Sequence, residues 1–156
     1  MIMMPKINEL TAFLKQANLY GYGSGKGVAQ SSRPASKDLE YQDGDFVFHD
    51  SYFGGERFIG TEIIYYKGNP AWGMSYYGWT PKSEKSPEEV FAFLRKVLLT
   101  DTGALIPVRG PARAEEGGFL YHNSIDGDMA NFSGQEKILF NGKDAHVCRF
   151  VGGLVR

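Results

Sequence analysis

Asp45 to Trp79 reads DFVFHDSYFGGERFIGTEIIYYKGNPAWGMSYYGW, and the chain carries a second version of it. Gly118 to Gly153 reads GFLYHNSIDGDMANFSGQEKILFNGKDAHVCRFVGG. Phe46 falls on Phe119, His49 on His122 and Ser51 on Ser124. After one inserted residue, Phe58, Gly60, Glu62 and Ile64 fall on Phe132, Gly134, Glu136 and Ile138. Ahead of each block, Ala12-Phe13-Leu14-Lys15 matches Ala92-Phe93-Leu94-Arg95. The pattern predicts an internal duplication, with pseudo-repeats over about 5–80 and 84–156 within one domain spanning 1–156.

Working outward, alternating apolar residues between turn signals predict strands. Leu39 to Gln42 turns at Asp43-Gly44 into Asp45 to Tyr52, and Gly54-Gly55 leads to Arg57 to Tyr66. Lys67-Gly68-Asn69 leads to Ala71 to Tyr77. In the second block Glu116-Gly117, Asp126-Gly127 and Asn141-Gly142 are the expected turns. Ile7, Leu10, Phe13, Leu14 and Ala17 predict a helix over 7–18. Ser86, Pro87 and Glu89 form a capping-box start for a second, with Val90, Phe91, Leu94, Val97 and Leu98 as its buried stripe and Gly103 as its stop. The expected fold is α+β: a helix plus four strands, twice, in a single antiparallel sheet with both helices on one face and a pseudo-two-fold axis.

Composition bounds the function. The chain has 156 residues, enough for a sizeable core. Its 17 basic and 18 acidic residues nearly cancel, which removes the charge footprint of a direct nucleic-acid binder. A lone cysteine, Cys148, fits a reducing compartment. No signal peptide and no membrane span is expected, so the expected location is cytoplasmic with no membrane partner.

Strand alternation assigns faces. Phe46, Phe48, Asp50, Phe58, Gly60, Glu62, Gly73, Ser75 and Tyr77 are expected on the helix-covered face, with Phe119, Tyr121, Asn123, Phe132, Gly134, Glu136, Ala145, Val147 and Arg149 continuing it. His49, Ile63, Tyr65, Trp72, Met74 and Tyr76 are expected on the other. Glu62 and Glu136, each in Phe-x-Gly-x-Glu, are the carboxylates of interest, the glycine leaving room for a ligand above the sheet. Positions where the two blocks differ also stand out: Asp50 against Asn123, Trp72 against His146, Met74 against Cys148 and Trp79 against Gly153.

Aromatics beside an acid suit a cation or a planar ring. The expected function is therefore a small-molecule-binding domain, sensor-like or sequestering, with a groove lined by Asp50, Glu62, Trp72, Tyr77, Trp79 and Glu136 for a cationic or aromatic ligand. One alternative is a small-molecule hydrolase using Glu62 or Glu136 as general base; another is a protein-interaction module or homodimer using the Trp72–Tyr76 face. No catalytic residue stands out, since there is no Gly-x-Ser-x-Gly elbow. No cofactor or metal is expected either: His49, His122, His146 and Cys148 match no zinc spacing. The glycine-rich loop Tyr20 to Lys37 lacks the phosphate-loop pattern around Gly25-Lys26. With about seven more residues than its partner segment, it reads as a surface loop or a lid. Arg33, Arg109 and Arg113 read as loop arginines, solvated or able to clamp an anion.

At DSYFGGERFIGTEIIYYKGNPAWGMSYYG, and again at the closing RFVGGLV, the chain resembles a bacterial family of unknown function. Its members occur alone or behind helix-turn-helix DNA-binding domains. The resemblance extends to Ser32-Arg33-Pro34 and implies a domain able to sit where a sensor sits. It transfers no catalytic residues. In layout only, the duplicated halves look like the effector-binding domains of gyrase-inhibitor-like multidrug sensors, which hold a glutamate among aromatics.

Overall fold

The computed structural model describes residues 1–23, 26–100, 103 and 106–156. Helix α1 (Ile7–Gly23) precedes strands β1 (Val28–Ala29), β2 (Lys37–Asp43), β3 (Phe46–Gly54), β4 (Arg57–Tyr66) and β5 (Asn69–Trp79). Helix α2 (Pro87–Leu98) precedes β6 (Arg113–Glu116), β7 (Phe119–Asp128), β8 (Asn131–Phe140) and β9 (Lys143–Leu154). All nine strands form one antiparallel sheet in the order β1-β2-β3-β4-β5-β9-β8-β7-β6. Two meanders therefore meet along β5 and β9, where Tyr76 pairs with Phe150. This is the α+β, single-sheet fold expected from the sequence.

The helices follow their local signals. The Ser86 hydroxyl accepts from the Glu89 amide at 3.2 Å, and the Glu89 carboxylate accepts from the Ser86 amide at 3.0 Å. That exchange satisfies two donors at the start of α2. The helix ends at Leu98, with the Leu99 amide donating to Arg95, so Gly103 lies beyond the end it was expected to make. Helix α1 runs on to Gly23, past the expected Asn18. Within the Tyr20–Lys37 segment, expected to hold no regular structure, the Val28–Ala29 pair adds an edge strand to β2. Ser24, Gly25 and Leu105 lie outside the described residues.

Both helices cover one face. Leu10, Phe13, Leu14 and Ala17 pack with Phe48, Ile64 and Trp72, while Val90, Phe93, Leu94 and Val97 pack with Tyr121 and Ile138. The expected membership of that face needs correction at β5 and β9. Tyr65 pairs with Pro70 but Ile64 pairs with Trp72, leaving Ala71 as one extra residue in β5. Leu139 pairs with Asp144 and Ile138 with His146, leaving Ala145 extra in β9. A one-residue bulge inverts every later side chain. Trp72, Met74 and Tyr76, with His146, Cys148 and Phe150, thus face the helices, while Gly73, Ser75, Tyr77, Val147 and Arg149 face away. The β7–β8 turn also differs: Asp128 pairs with Asn131, so the turn falls at Met129-Ala130, three residues beyond the expected Asp126-Gly127. Each β7 residue meets a partner six positions later, an even shift that keeps Phe132, Gly134 and Glu136 on the helix side.

Phe13 lies 4.9 Å from the Phe46 ring and 5.6 Å from Tyr41, and Phe93 lies 4.8 Å from Phe119. Both phenylalanines are buried. Replacing either with Ala should lower unfolding free energy by ~3–5 kcal/mol in denaturant titrations. A loss well under ~1 kcal/mol would mean that the ring does not fill an enclosed site.

Candidate functional site

Three carboxylates lie buried on the helix-covered face: Asp50, Glu62 and Glu136. Their surroundings differ sharply. Arg109 donates to Glu136 through Nε at 3.1 Å and Nη2 at 2.8 Å, the side chains being 5% and 0% exposed. Tyr121 Oη donates to Glu136 Oε2 at 2.6 Å, and His146 Nε2 lies 2.9 Å from Oε1. Burial alone would push the Glu136 carboxyl upward, but Arg109 and His146 outweigh it and hold it at about 2. Glu136 is a fully bonded structural anion.

Arg109 was expected among solvated loop arginines, and here the structure corrects the reading. The Asn123 amide donates to the carbonyls of both flanking residues, Val108 and Gly110, each at 2.9 Å. The Gly110 amide donates to Tyr121 Oη at 2.9 Å. Pinned on both sides, Arg109 adopts a left-handed backbone with φ 63°, unusual for a non-glycine residue, and its guanidinium turns inward.

Glu62 has no such shell. Phe48 and Trp72 flank it across the sheet, at positions matching Tyr121 and His146 around Glu136. No described residue donates a hydrogen bond to its carboxyl. Its neighbour across β3 is Asp50. Burial, then the Asp50 charge, pushes Glu62 up to about 8. Asp50 is itself raised to about 6 by burial, despite a hydrogen bond at 2.6 Å from Tyr76 Oη to Oδ1.

Tyr76 reaches Asp50 because Gly60, its partner across β4, has no side chain: a Cβ there would overlap the Tyr76 ring. Gly134 lies under Phe150 in the same way. The space above these glycines, expected for a ligand, is filled by rings from neighbouring strands.

A cavity of about 650 Å³ opens beside this pair, between α2, the end of α1 and β2–β5. Tyr52, Phe58, Phe91, Leu94 and Leu98 make its apolar walls. Asp50, Tyr76 and Arg109 supply inner polar groups, and Lys37 and Arg95 are the other cations of the lining. Of the six residues expected to line one groove, Asp50 alone lines this cavity. Trp72 is buried, donates from Nε1 to the Met129 carbonyl at 3.0 Å and stacks on Phe132. Tyr77 and Trp79 lie on the opposite sheet face, packed on one another, with Arg149 over the Trp79 ring. Tyr76, Phe58 and Arg109 were the residues missed, the first through the bulge.

The opposite face holds a second polar cluster. Asp38 accepts from Ser32 at 2.6 Å and Ser36 at 2.5 Å and meets His49 Nε2 at 2.6 Å. Burial raises its carboxyl, and these bonds outweigh it, holding the group well below the usual range. The cluster ties the Ser31–Ser36 turn to β3. His49 and His122 lie on this face while His146 and Cys148 lie on the other, so they do not form one ligand set.

A buried-carboxylate α+β domain is the class this geometry defines. Residues 50–155 match the family described as Domain of unknown function (DUF5680), and the chain belongs to that family. No curated protein matches the chain. Among the described residues, no helix is long and apolar enough to cross a membrane.

Two predictions follow from the unequal carboxylates. Arg109→Met leaves Glu136 buried without its cation and should cost ~3–5 kcal/mol, part of which Glu136→Gln should restore in the double variant. Additive losses would sink the pairing. The pH dependence has the opposite sign for Glu62. The unfolded chain releases these protons near 3.8 and 4.5, but the folded chain holds them to about 6 and 8. Their stabilising contribution is complete below pH ~4 and is lost as pH rises toward ~8. Glu62→Gln should therefore gain stability on wild type at pH ~8.5, and the gain should shrink toward pH ~5. A gain independent of pH in denaturant titrations would contradict the raised carboxyl.

Proposed function

We propose that the chain is a small-molecule-binding domain whose site is the helix–sheet cavity beside Asp50. The observation that carries this is an open cleft of about 650 Å³ with aromatic and aliphatic walls and a buried carboxylate in its lining. Ligand sites have this size and this mixture of apolar wall and few polar groups. In the hydrolase alternative, the carboxylate reaching the cavity is Asp50 rather than Glu62. The binding reading needs no further group.

We also infer that the halves derive from one duplicated unit. Matching bulges at Ile64/Tyr65 and Ile138/Leu139 and the Tyr76–Phe150 pairing support it. On this reading one half kept a bonded glutamate as a structural centre and the other turned its acids toward a cavity.

Nile red, a neutral apolar fluorophore, tests the cavity directly. Titrated into the full chain, it should bind saturably at one site. Val28 lines the cavity yet is 75% exposed, so Val28→Trp should fill the mouth without unfolding the protein. Loss of Nile red binding with an unchanged melting temperature is the expected result. No saturable binding, or binding indifferent to Val28→Trp, would overturn the proposal.

A further inference from the structure

Asp50 presents an unbalanced charge to the cavity. Tyr76 donates to its Oδ1, and no described residue donates to Oδ2. A buried carboxylate with one neutral donor is poorly compensated and gains most from a cation brought to it. The cation nearest to hand is committed: Arg109 acts on Asp50 from a distance while gripping Glu136 with two nitrogens. Glu62, across β4, offers no positive charge and adds negative potential whenever it ionises. His49 and Asp38, reached through β3 and β2, act on Asp50 with opposite signs.

The rest of the lining suits the same kind of guest. Tyr52, Phe58 and Phe91 present rings to the cavity that holds Asp50. Aromatic faces attract both an ammonium and the apolar body attached to it. Lys37 and Arg95 also line the cavity and would favour an anion there. Lys37 is turned to the Gly54 carbonyl at 3.1 Å and to the Tyr52 ring.

We propose that this cavity takes ring-bearing organic amines, whose ammonium group donates to the open oxygen of Asp50. This rests on the cavity being a binding site, and it adds the chemical class. Neutral alcohols of the same shape can donate one hydrogen bond but leave the charge uncompensated. Carboxylates of the same shape place like charges together. Binding is linked to protons with a defined sign. Below the Asp50 transition the carboxyl is neutral and must release its proton to solvent before the ammonium pairs with it, so affinity falls as pH falls.

Displacement of Nile red from the full chain by phenethylamine, phenethyl alcohol and phenylpropionate provides the test. At pH ~7.5 the amine should bind at least ~tenfold more tightly than the alcohol, with the carboxylate weakest. Between pH ~6 and ~5 the amine's affinity should fall by up to ~tenfold per unit while the alcohol's stays level. Asp50→Asn keeps the shape and the Tyr76 partner, and should bring amine and alcohol to equal affinity while Nile red still binds. Nile red displaced equally by all three, or best by the carboxylate, would overturn the amine assignment and leave the cavity standing. Failure of Nile red and all three ligands to bind would overturn both.

Discussion

One enclosed guanidinium serves three buried carboxylates, and much of this protein follows from that shortage. Arg109 reaches its place because Asn123 and Tyr121 hold the backbone on either side of it. Once there it can satisfy one acid with good geometry, and Glu136 takes two of its nitrogens, Nε and Nη2. Bidentate pairing of this kind compensates a buried anion where a single neutral donor does not. Asp50 and Glu62 are left to adapt by holding protons more tightly, which is the ordinary response of a carboxyl that is buried without a cation.

The position of those two acids depends on an equally local device. A single extra residue, Ala71, inverts β5 relative to its hairpin pattern and sends Tyr76 to the helix side. Gly60 then makes room for the Tyr76 ring, which brings its hydroxyl to Asp50. Without the bulge, Tyr76 would face outward and Tyr77 inward, and Asp50 would meet a different neighbour. The matching bulge in β9 brings His146 inward to Glu136. The polar centres of both halves are thus products of backbone irregularities, which re-aim side chains.

This explains what could be read from the chain and what could not. The capping box at Ser86, the hairpin turn at Asn141-Gly142, the turn signal at Asp43-Gly44 (realised one residue later, at Gly44-Asp45) and the phenylalanine pair Phe13 and Phe93 are local or periodic signals, and they placed the helices and most strands. Bulges leave no comparable signal. Ala71 and Ala145 are small residues behind ordinary turns, and strict alternation carried Trp72 and Tyr77 to the wrong faces. Arg109 was hidden for another reason: its burial depends on Asn123, a strand residue distant in sequence, whose amide spans two loop carbonyls. The unequal fates of Glu62 and Glu136 were closer to legible. Phe48 stands where Tyr121 does, a difference the aligned blocks showed, but Trp72 and His146 meet the two glutamates only because the bulges turn them inward.

Holding Glu62 beside Asp50 works against stability at neutral pH, since each must be kept from ionising freely in an apolar setting. An amide at position 62 would fill the same volume without that cost. Structural necessity accounts for Glu136, whose removal would strand Arg109, Tyr121 and His146 together. It does not account for Glu62, which no described side chain holds by a hydrogen bond, nor for the open oxygen of Asp50. Groups that stability does not explain are most simply explained by what they face. Asp50 faces the cavity, and its charge, second to burial, holds the proton on Glu62 one strand further in.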